Sequence, residues 1–279
     1  MMKIYKHNAG IILEHDQQHY LLPVDNWEQL VNDDELLTNL NQYLQSGQAK
    51  QLDDFDETGI QAPIGEHQEL WACGVTYLRS KIGRQEESKT AGGADFYARV
   101  YEAERPEVFF KSTPHRIVGH LGKVNIRKDS TWDVPEPELT LVVTSSGKII
   151  GYTIGNDMSS RSIEGENPLY LPQAKTYDGS AALGPCIYVT KEPLDPAINI
   201  RLQIQRDGQT VFEESIAISQ MKRGVEELVS FVYRECSFPS GCLVMTGTGI
   251  VPGHDFTLRS GDVITISIDH IGALTNTVR

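Results

Sequence analysis

At 279 residues the chain is long enough to bury one large core, or a small unit followed by a larger one, without disulfide or metal staples. Its 38 acidic side chains against 25 basic ones give a formal net charge of -13, and no segment carries a Lys- or Arg-rich stripe, which excludes nucleic acid as an expected partner. Residues 1–10 hold no apolar run of signal-peptide length and no stretch of about 18 apolar residues occurs anywhere, so the expectation is a cytoplasmic protein without a membrane partner.

In chain order, a short hairpin is predicted over residues 11–22 and a helix over 32–44. Asn32 or Asp33 would cap that helix, Leu36, Leu37, Leu40 and Leu44 would form its apolar face, and Gly47 would end it. Residues 53–66 bring acids, Gly59, Pro63 and Gly65 with few apolar residues and read as a linker, so the expected division is a small N-terminal α+β domain over 1–66 and a larger domain over 67–279.

Beyond it, short β-branched segments recur at 70–75, 108–110, 139–144, 149–154, 186–189, 198–204, 243–246 and 263–268, interrupted by two helical stretches, one at 77–103 broken by Gly92 and Gly93 and one at 225–233. The fold class expected is therefore α+β and strand-dominated. Cys73, Cys186, Cys236 and Cys242 are scattered, with no CxxC pair, and reduced, mostly buried thiols are expected rather than a zinc site. The histidines form no HxH or HExxH pattern, so His115 and His120 are expected at the surface or behind a site rather than as ligands, and Trp71 and Trp132 as core or pocket wall.

The chemistry concentrates in Asp133-Val-Pro-Glu-Pro-Glu-Leu. Pro135 and Pro137 hold the residues before them out of the helical region, so this stretch is extended and Glu136 and Glu138 project from one side of it. Ser145-Ser-Gly-Lys reads as a tight turn into a second strand. With Ser146 and Gly147 as the two turn residues, Asp157 stands opposite Glu136 and shares its face. A slip of one residue would send Asp157 to the other face. Three converging carboxylates without a nearby His or Cys suit a hard cation, Mg²⁺ or Mn²⁺, that keeps positions open for a chelating substrate.

These residues, together with Glu107-Val-Phe-Phe-Lys-Ser, Gly151-Tyr-Thr-Ile-Gly-Asn-Asp-Met-Ser-Ser-Arg, Lys175-Thr-Tyr-Asp, Leu183-Gly-Pro, Thr246-Gly-Thr-Gly, Ser260-Gly-Asp-Val and Ile271-Gly-Ala-Leu-Thr-Asn, occur in the order that makes the chain resemble the fumarylacetoacetate hydrolase family. The resemblance implies a rolled, mixed β fold, a homodimer or dimer of dimers, and Mg²⁺ or Mn²⁺ held by Glu136, Glu138 and Asp157. It also implies that Lys175 is the active-site lysine and that Thr248 meets the substrate carboxylate.

One segment departs from the family pattern. Its carbon–carbon hydrolases carry a His three residues after a Tyr, and a Glu three further on, to activate water; here Ser80 and Gly83 follow Tyr77 at those positions. The variant segment, with Glu86-Glu-Ser and Glu164-Gly-Glu-Asn-Pro-Leu-Tyr after it, is similar to the 2-keto-3-deoxy-sugar-acid dehydratase branch. The expected activity is loss of water from a 2-keto-3-deoxypentonate to give 2,5-dioxopentanoate. The alternative is carbon–carbon cleavage, by a hydrolase or decarboxylase, of acylpyruvates, fumarylacetoacetate-like diketo acids or oxaloacetate.

In the dehydration the metal withdraws charge from the 2-oxo group, a base takes a C3 proton and the C4 hydroxyl leaves as water. Lys175 is expected near the enolate, in contact with substrate, or as a proton-transfer group, with an ion pair to Asp178 as its plainer role. The second such group is to be sought among Glu86, Glu87, Glu164 and Glu166, while Tyr77, Arg79 and Ser80 are candidates for substrate oxygens. Gly92 and Gly93 are a candidate lid hinge.

Overall fold

The computed structural model describes the backbone of residues 1–87 and 94–279, and the side chains of that range outside residues 84–97. Among the described residues, strand-forming residues in short runs give two mixed sheets and a two-stranded pair, Asp133–Val134 with Ser159–Ser160. The larger one has 11 strands among the described residues. Its order is Lys50–Gln51, Gln18–Leu21, Gly10–His15, Met2–His7, Ala181–Val189, Ile149–Asp157, Pro137–Val143, Cys242–Met245, Glu69–Gly74 and Glu107–Ser112, with Ile117–Val118 pairing in parallel to Ala181–Val189. A second sheet of 5 strands runs Gln209–Ala217, Asn199–Arg206, Val263–Ile268, Gly272–Val278 and Lys123–Val124.

Alternation along Pro137–Val143 and its partner separates two cores. Leu139, Leu141 and Ile154 face a cluster shared with the second sheet, through Leu202, Ile266 and Leu274, and with the helix Val225–Val232. Val142 and Ile150 face a second cluster covered by the helices Trp27–Val31 and Leu36–Gln45. Each fully buried Leu or Ile contributes on the order of 1.5–3 kcal/mol, so both faces of these central strands are held firmly. They carry the site.

The N-terminal hairpin is not set apart. Met2–His7 pairs with Ala181–Val189, Met2 and Ile4 share a cluster with Val142 and Leu243, and the amides of Asn8 and Gln61 bond to Gly59 and Lys6. Residues 53–66 thus run back along the first strand rather than spanning a gap between separate cores. The helix expected over 32–44 begins later than its pattern suggested, because Asn32 closes the preceding helix Trp27–Val31, itself capped by Asn26. The helix Leu36–Gln45 follows, ending at Gly47 with φ of 71°.

The hairpin that orients the carboxylates differs from expectation in its turn. Thr144 pairs with Lys148, so residues 145–147 form a three-residue loop in which Gly147 has φ of 84°, a left-handed position suited to glycine. The extra residue would displace every later pair by one. A bulge between Val142 and Val143 removes the offset, since Val143 faces Ile149 while Val142 faces Gly151. Glu138 therefore faces Gly155, Pro137 faces Asn156, and the Asp157 amide donates to the Glu136 carbonyl over 2.9 Å.

Candidate active site

The three carboxylates converge as the sequence predicted. Glu136, Glu138 and Asp157 are all buried, and one oxygen from each lies within 4.8 Å of the other two. That spread suits a cation with metal–oxygen bonds of roughly 2.0–2.6 Å, and an all-oxygen donor set suits Mg²⁺ or Mn²⁺. Burial and the repulsion of Asp157 and Glu136 raise the Glu138 carboxyl well above its usual range. Burial also acts to raise Asp157, but the ammonium groups of Lys111 and Lys175 outweigh it and hold Asp157 below the ordinary value. A cluster under such tension is what a divalent ion relieves.

Three cations of the chain itself face the cluster. Lys175, at the end of the short helix Leu171–Lys175, donates to Glu136 Oε2 at 2.6 Å, Asp157 Oδ2 at 3.0 Å and Ser159 Oγ at 2.6 Å. Arg161 Nη2 lies 2.5 Å from Glu136 Oε1. Lys111 Nζ lies 2.6 Å from Asp157 Oδ1, and burial pulls its own pKa down against the attraction of Asp157. Glu138 instead accepts from the backbone amide of Gly247 at 2.6 Å. Gly247 has φ of 94°, and a side chain there would collide with Thr76 Oγ1, so glycine alone lets this amide reach the carboxylate.

Val75, Ser80, Phe109, Lys175, Gly247 and Thr248 wall a small cavity around the triad. Val75 is β-branched yet has φ of 55°, a conformation that costs on the order of 1–3 kcal/mol and concentrates at functional positions. A roomier groove of about 690 Å³ shares Phe109 with this cavity but holds none of the three carboxylates. The small cavity is the candidate site because the charges meet there.

The other predicted residues separate by position. Tyr77 is 1% exposed, and its hydroxyl has no hydrogen-bond partner among the described residues; burial, then Glu138, pushes its pKa up. Ser80 lines the cavity, although its hydroxyl already donates to the Tyr77 carbonyl at 2.7 Å. Thr248 lines it too, with its hydroxyl turned to Ile250. Arg79 is half-buried, points toward the Val251 carbonyl and is not part of the cavity wall.

Glu164 is buried on the helix Arg161–Glu166, one turn beyond Arg161, whereas Glu166 is exposed. Glu86 and Glu87 belong to the helix Leu78–Glu87, but their side chains lie outside the described residues, as do Gly92 and Gly93. Lys175 does not pair with Asp178, which faces Arg116 instead. His120 accepts from the Thr275 amide and His115 meets Thr113, both apart from the triad, while Trp71 packs against Phe110 and Phe238 and Trp132 against His254. Cys73, Cys186 and Cys242 are buried, Cys236 is exposed, and all four are free.

Lys111, Arg161 and Ser159 were given no role from sequence. Both cations sit inside stretches that carried the family resemblance, and a lone Lys in Val-Phe-Phe-Lys-Ser is the signal that could have drawn attention to the first.

The family described as fumarylacetoacetate (FAA) hydrolase C-terminal matches residues 84–279. A probable 2-keto-3-deoxyxylonate dehydratase of Haloferax volcanii is 46% identical over 227 residues, 81% of this chain and 77% of that one. A 2-dehydro-3-deoxy-D-arabinonate dehydratase of Saccharolobus solfataricus is 44% identical over 228 residues, 81% of this chain and 76% of the relative. The solved structure of a 2-keto-3-deoxy-D-arabinonate dehydratase complexed with magnesium and 2,5-dioxopentanoate superposes with a TM-score of 0.81 at 34% identity, covering 100% of this chain and 98% of the other. With its buried carboxylate triad, its rolled mixed sheet and this match over most of its length, the chain belongs to the fumarylacetoacetate hydrolase family.

Proposed function

We propose that the protein is a metal-dependent hydro-lyase that removes water from a 2-keto-3-deoxypentonate to give 2,5-dioxopentanoate, with Mg²⁺ or Mn²⁺ held by Glu136, Glu138 and Asp157. The observation that carries the reading is the charge balance of the site. Lys111, Lys175 and Arg161 set three positive charges against the three carboxylates, so the cluster is neutral by itself. With a divalent ion it becomes +2, equal and opposite to a substrate that presents a carboxylate and a developing enolate. The printed activities of the relatives support the same reaction.

A divalent cation in the triad supplies the electron withdrawal at the 2-oxo group that makes the C3 hydrogen acidic. The chain's own residues do the rest. Lys175 lies in the cavity wall, where its amino group can take up or return the C3 proton or bond the enolate oxygen. The C4–O bond breaks as the C3–C4 double bond forms and the hydroxyl leaves with a proton as water. C5 then gives up a proton and C3 takes one, and the resulting C4–C5 enol ketonises by moving its hydroxyl proton to C4, leaving the C5 aldehyde. Glu164 is the buried acid among the described candidates for the second transfer, and Glu86 and Glu87 remain candidates from the sequence. Thr248 in the cavity wall is assigned to a substrate oxygen, and Tyr77, Arg79 and Ser80 are kept as candidates, with Arg79 outside the wall and the Ser80 hydroxyl engaged with the Tyr77 carbonyl. Phe109 and Val75 limit water at the reacting carbons.

Hydrolysis or decarboxylation of acylpyruvates, diketo acids or oxaloacetate is disfavoured by what replaces the water-activating pair. Ser80 Oγ is committed to the Tyr77 carbonyl, and Gly83 has no side chain, while one placed there would meet Val251. The deciding assay offers 2-keto-3-deoxy-arabinonate and -xylonate with Mg²⁺ and follows 2,5-dioxopentanoate through a coupled aldehyde dehydrogenase. Steady turnover of acylpyruvates with none of either pentonate would reject the proposal.

A homodimer or dimer of dimers is part of this reading, on the family resemblance. Sedimentation equilibrium tests it. A cytoplasmic setting is supported by the free cysteines, and among the described residues no helix is long and apolar enough to cross a membrane. Residues 67–279 hold every assigned site residue, which leaves 1–66 a packing role.

A further inference from the structure

We propose that Lys111 is a positioning residue for the site: it fixes Asp157 in the orientation that serves the metal and anchors Lys175, without touching the substrate. This rests on the metal reading above and adds a residue to it. Lys111 is 0% exposed in the strand Glu107–Ser112. An ammonium has three N–H donors. Here they donate to the Met158 carbonyl at 3.1 Å and the Lys175 carbonyl, and the same ammonium forms an ion pair with Asp157 Oδ1 at 2.6 Å. Lys175 lines the cavity and Lys111 does not.

The two lysines divide Asp157 between them. Lys111 takes Oδ1, and Lys175 takes Oδ2 from the cavity side. With one oxygen held by Lys111, rotation of the carboxylate is opposed, and Oδ2 stays beside the Lys175 ammonium that also binds Glu136 Oε2. The same ammonium binds the Lys175 carbonyl, so the helix end that delivers the active-site amine is referenced to the same point. The Thr176 hydroxyl adds a bond to the Lys111 carbonyl at 3.1 Å.

The placement also has a topological reason. In the sheet order, Pro137–Val143, Cys242–Met245 and Glu69–Gly74 stand between the strand of Asp157 and that of Lys111. In a flat sheet four steps would put them about 19 Å apart, three times the reach of a lysine. A contact of 2.6 Å exists because the sheet curls, and Lys111 is a direct polar link across the curl. A change there would be transmitted to the metal ligand before it reached the substrate pocket.

The test is Mn²⁺ binding, followed by electron paramagnetic resonance on substrate-free protein well below its melting temperature. K111M is expected to bind Mn²⁺ roughly 10- to 100-fold more weakly than wild type, as loss of the group behind a metal ligand generally does. Equal affinity in folded K111M, with only a lower Tm, would reduce Lys111 to a structural residue and overturn the proposal. Wild-type protein that binds no Mn²⁺ would instead remove the metal reading itself.

Should K111M fail to fold, ¹⁵N-lysine-labelled wild type decides. The Lys111 ammonium, assigned through its own side-chain carbons, should exchange slowly and shift when Mg²⁺ is added. A signal unmoved by saturating Mg²⁺ would overturn the inference.

Discussion

The amide of Asp157 donates to the carbonyl of Glu136 over 2.9 Å, which puts the two side chains on one face of adjacent antiparallel strands. Glu138, two residues along the same strand, completes the triad. Because all three are buried, their mutual repulsion is a standing cost unless cations answer it.

Glu138→Ala is expected to weaken Mn²⁺ or Mg²⁺ binding by roughly 100-fold or more while the fold survives. Its charge is the one that burial and the neighbouring acids oppose, so removing it relieves the metal-free protein, offset by about 1 kcal/mol for the Gly247 amide left without an acceptor. Calorimetry and circular dichroism in EDTA check both halves. Unchanged ion affinity would contradict the assignment.

Lys175→Met separates chemistry from metal binding. Turnover should fall by roughly 10³-fold, because the amino group facing the cavity is lost, whereas Mn²⁺ affinity should stay the same or rise once its competitor for Glu136 and Asp157 is gone. Parallel kcat and Mn²⁺ titrations decide. A loss of ion affinity comparable to that of Glu138→Ala would refute the assigned role.

Arg161→Met strands the Glu136 carboxylate next to Asp157 and Glu138 with one fewer counter-charge. Breaking a buried pair of this kind costs about 3–5 kcal/mol, and urea denaturation without metal should report it. Saturating Mg²⁺ should recover part of the loss, since ligand at 100 times Kd adds about 2.7 kcal/mol. A change below about 1 kcal/mol would show that Arg161 is not the cation that balances Glu136.

Asp133 sets a pH dependence apart from the metal. Burial raises its carboxyl from 3.8 to about 6, against the Ser130 hydroxyl and Arg127. The folded state therefore holds this proton more tightly than the unfolded one. The contribution is complete below the unfolded pKa and is lost as pH rises through about 6. Asp133→Asn should match wild type near pH 4 and exceed it near pH 8 by on the order of 1–2 kcal/mol. Thermal melts across that range test the sign, and identical slopes for the two proteins would exclude Asp133.

Much of the site was legible before any coordinates. Two prolines and a strand period of two put Glu136 and Glu138 together, and the hairpin brought Asp157 across. The turn was read one residue too short. The result held because the bulge opposite Val143 restores the register, and the burial of Leu139, Leu141 and Ile154 on one face penalises any slip. The hairpin Asn199–Arg206 to Gln209–Ala217, turning at Asp207 and Gly208 with φ of 52° and 75°, was missed as a pair although Asp-Gly is a strong signal for it.

The sequence by itself determined the strand-rich architecture, the shared face of the three carboxylates and the loss of the water-activating His, because these depend on neighbours within one hairpin or one short motif. Only the tertiary structure decided that Lys111 and Lys175 grip opposite oxygens of Asp157, that Arg161 balances Glu136, and that Asp178 turns away to Arg116. Those contacts join segments tens of residues apart across a curled sheet, and the distance between such segments is set by how two cores pack, which no local period encodes.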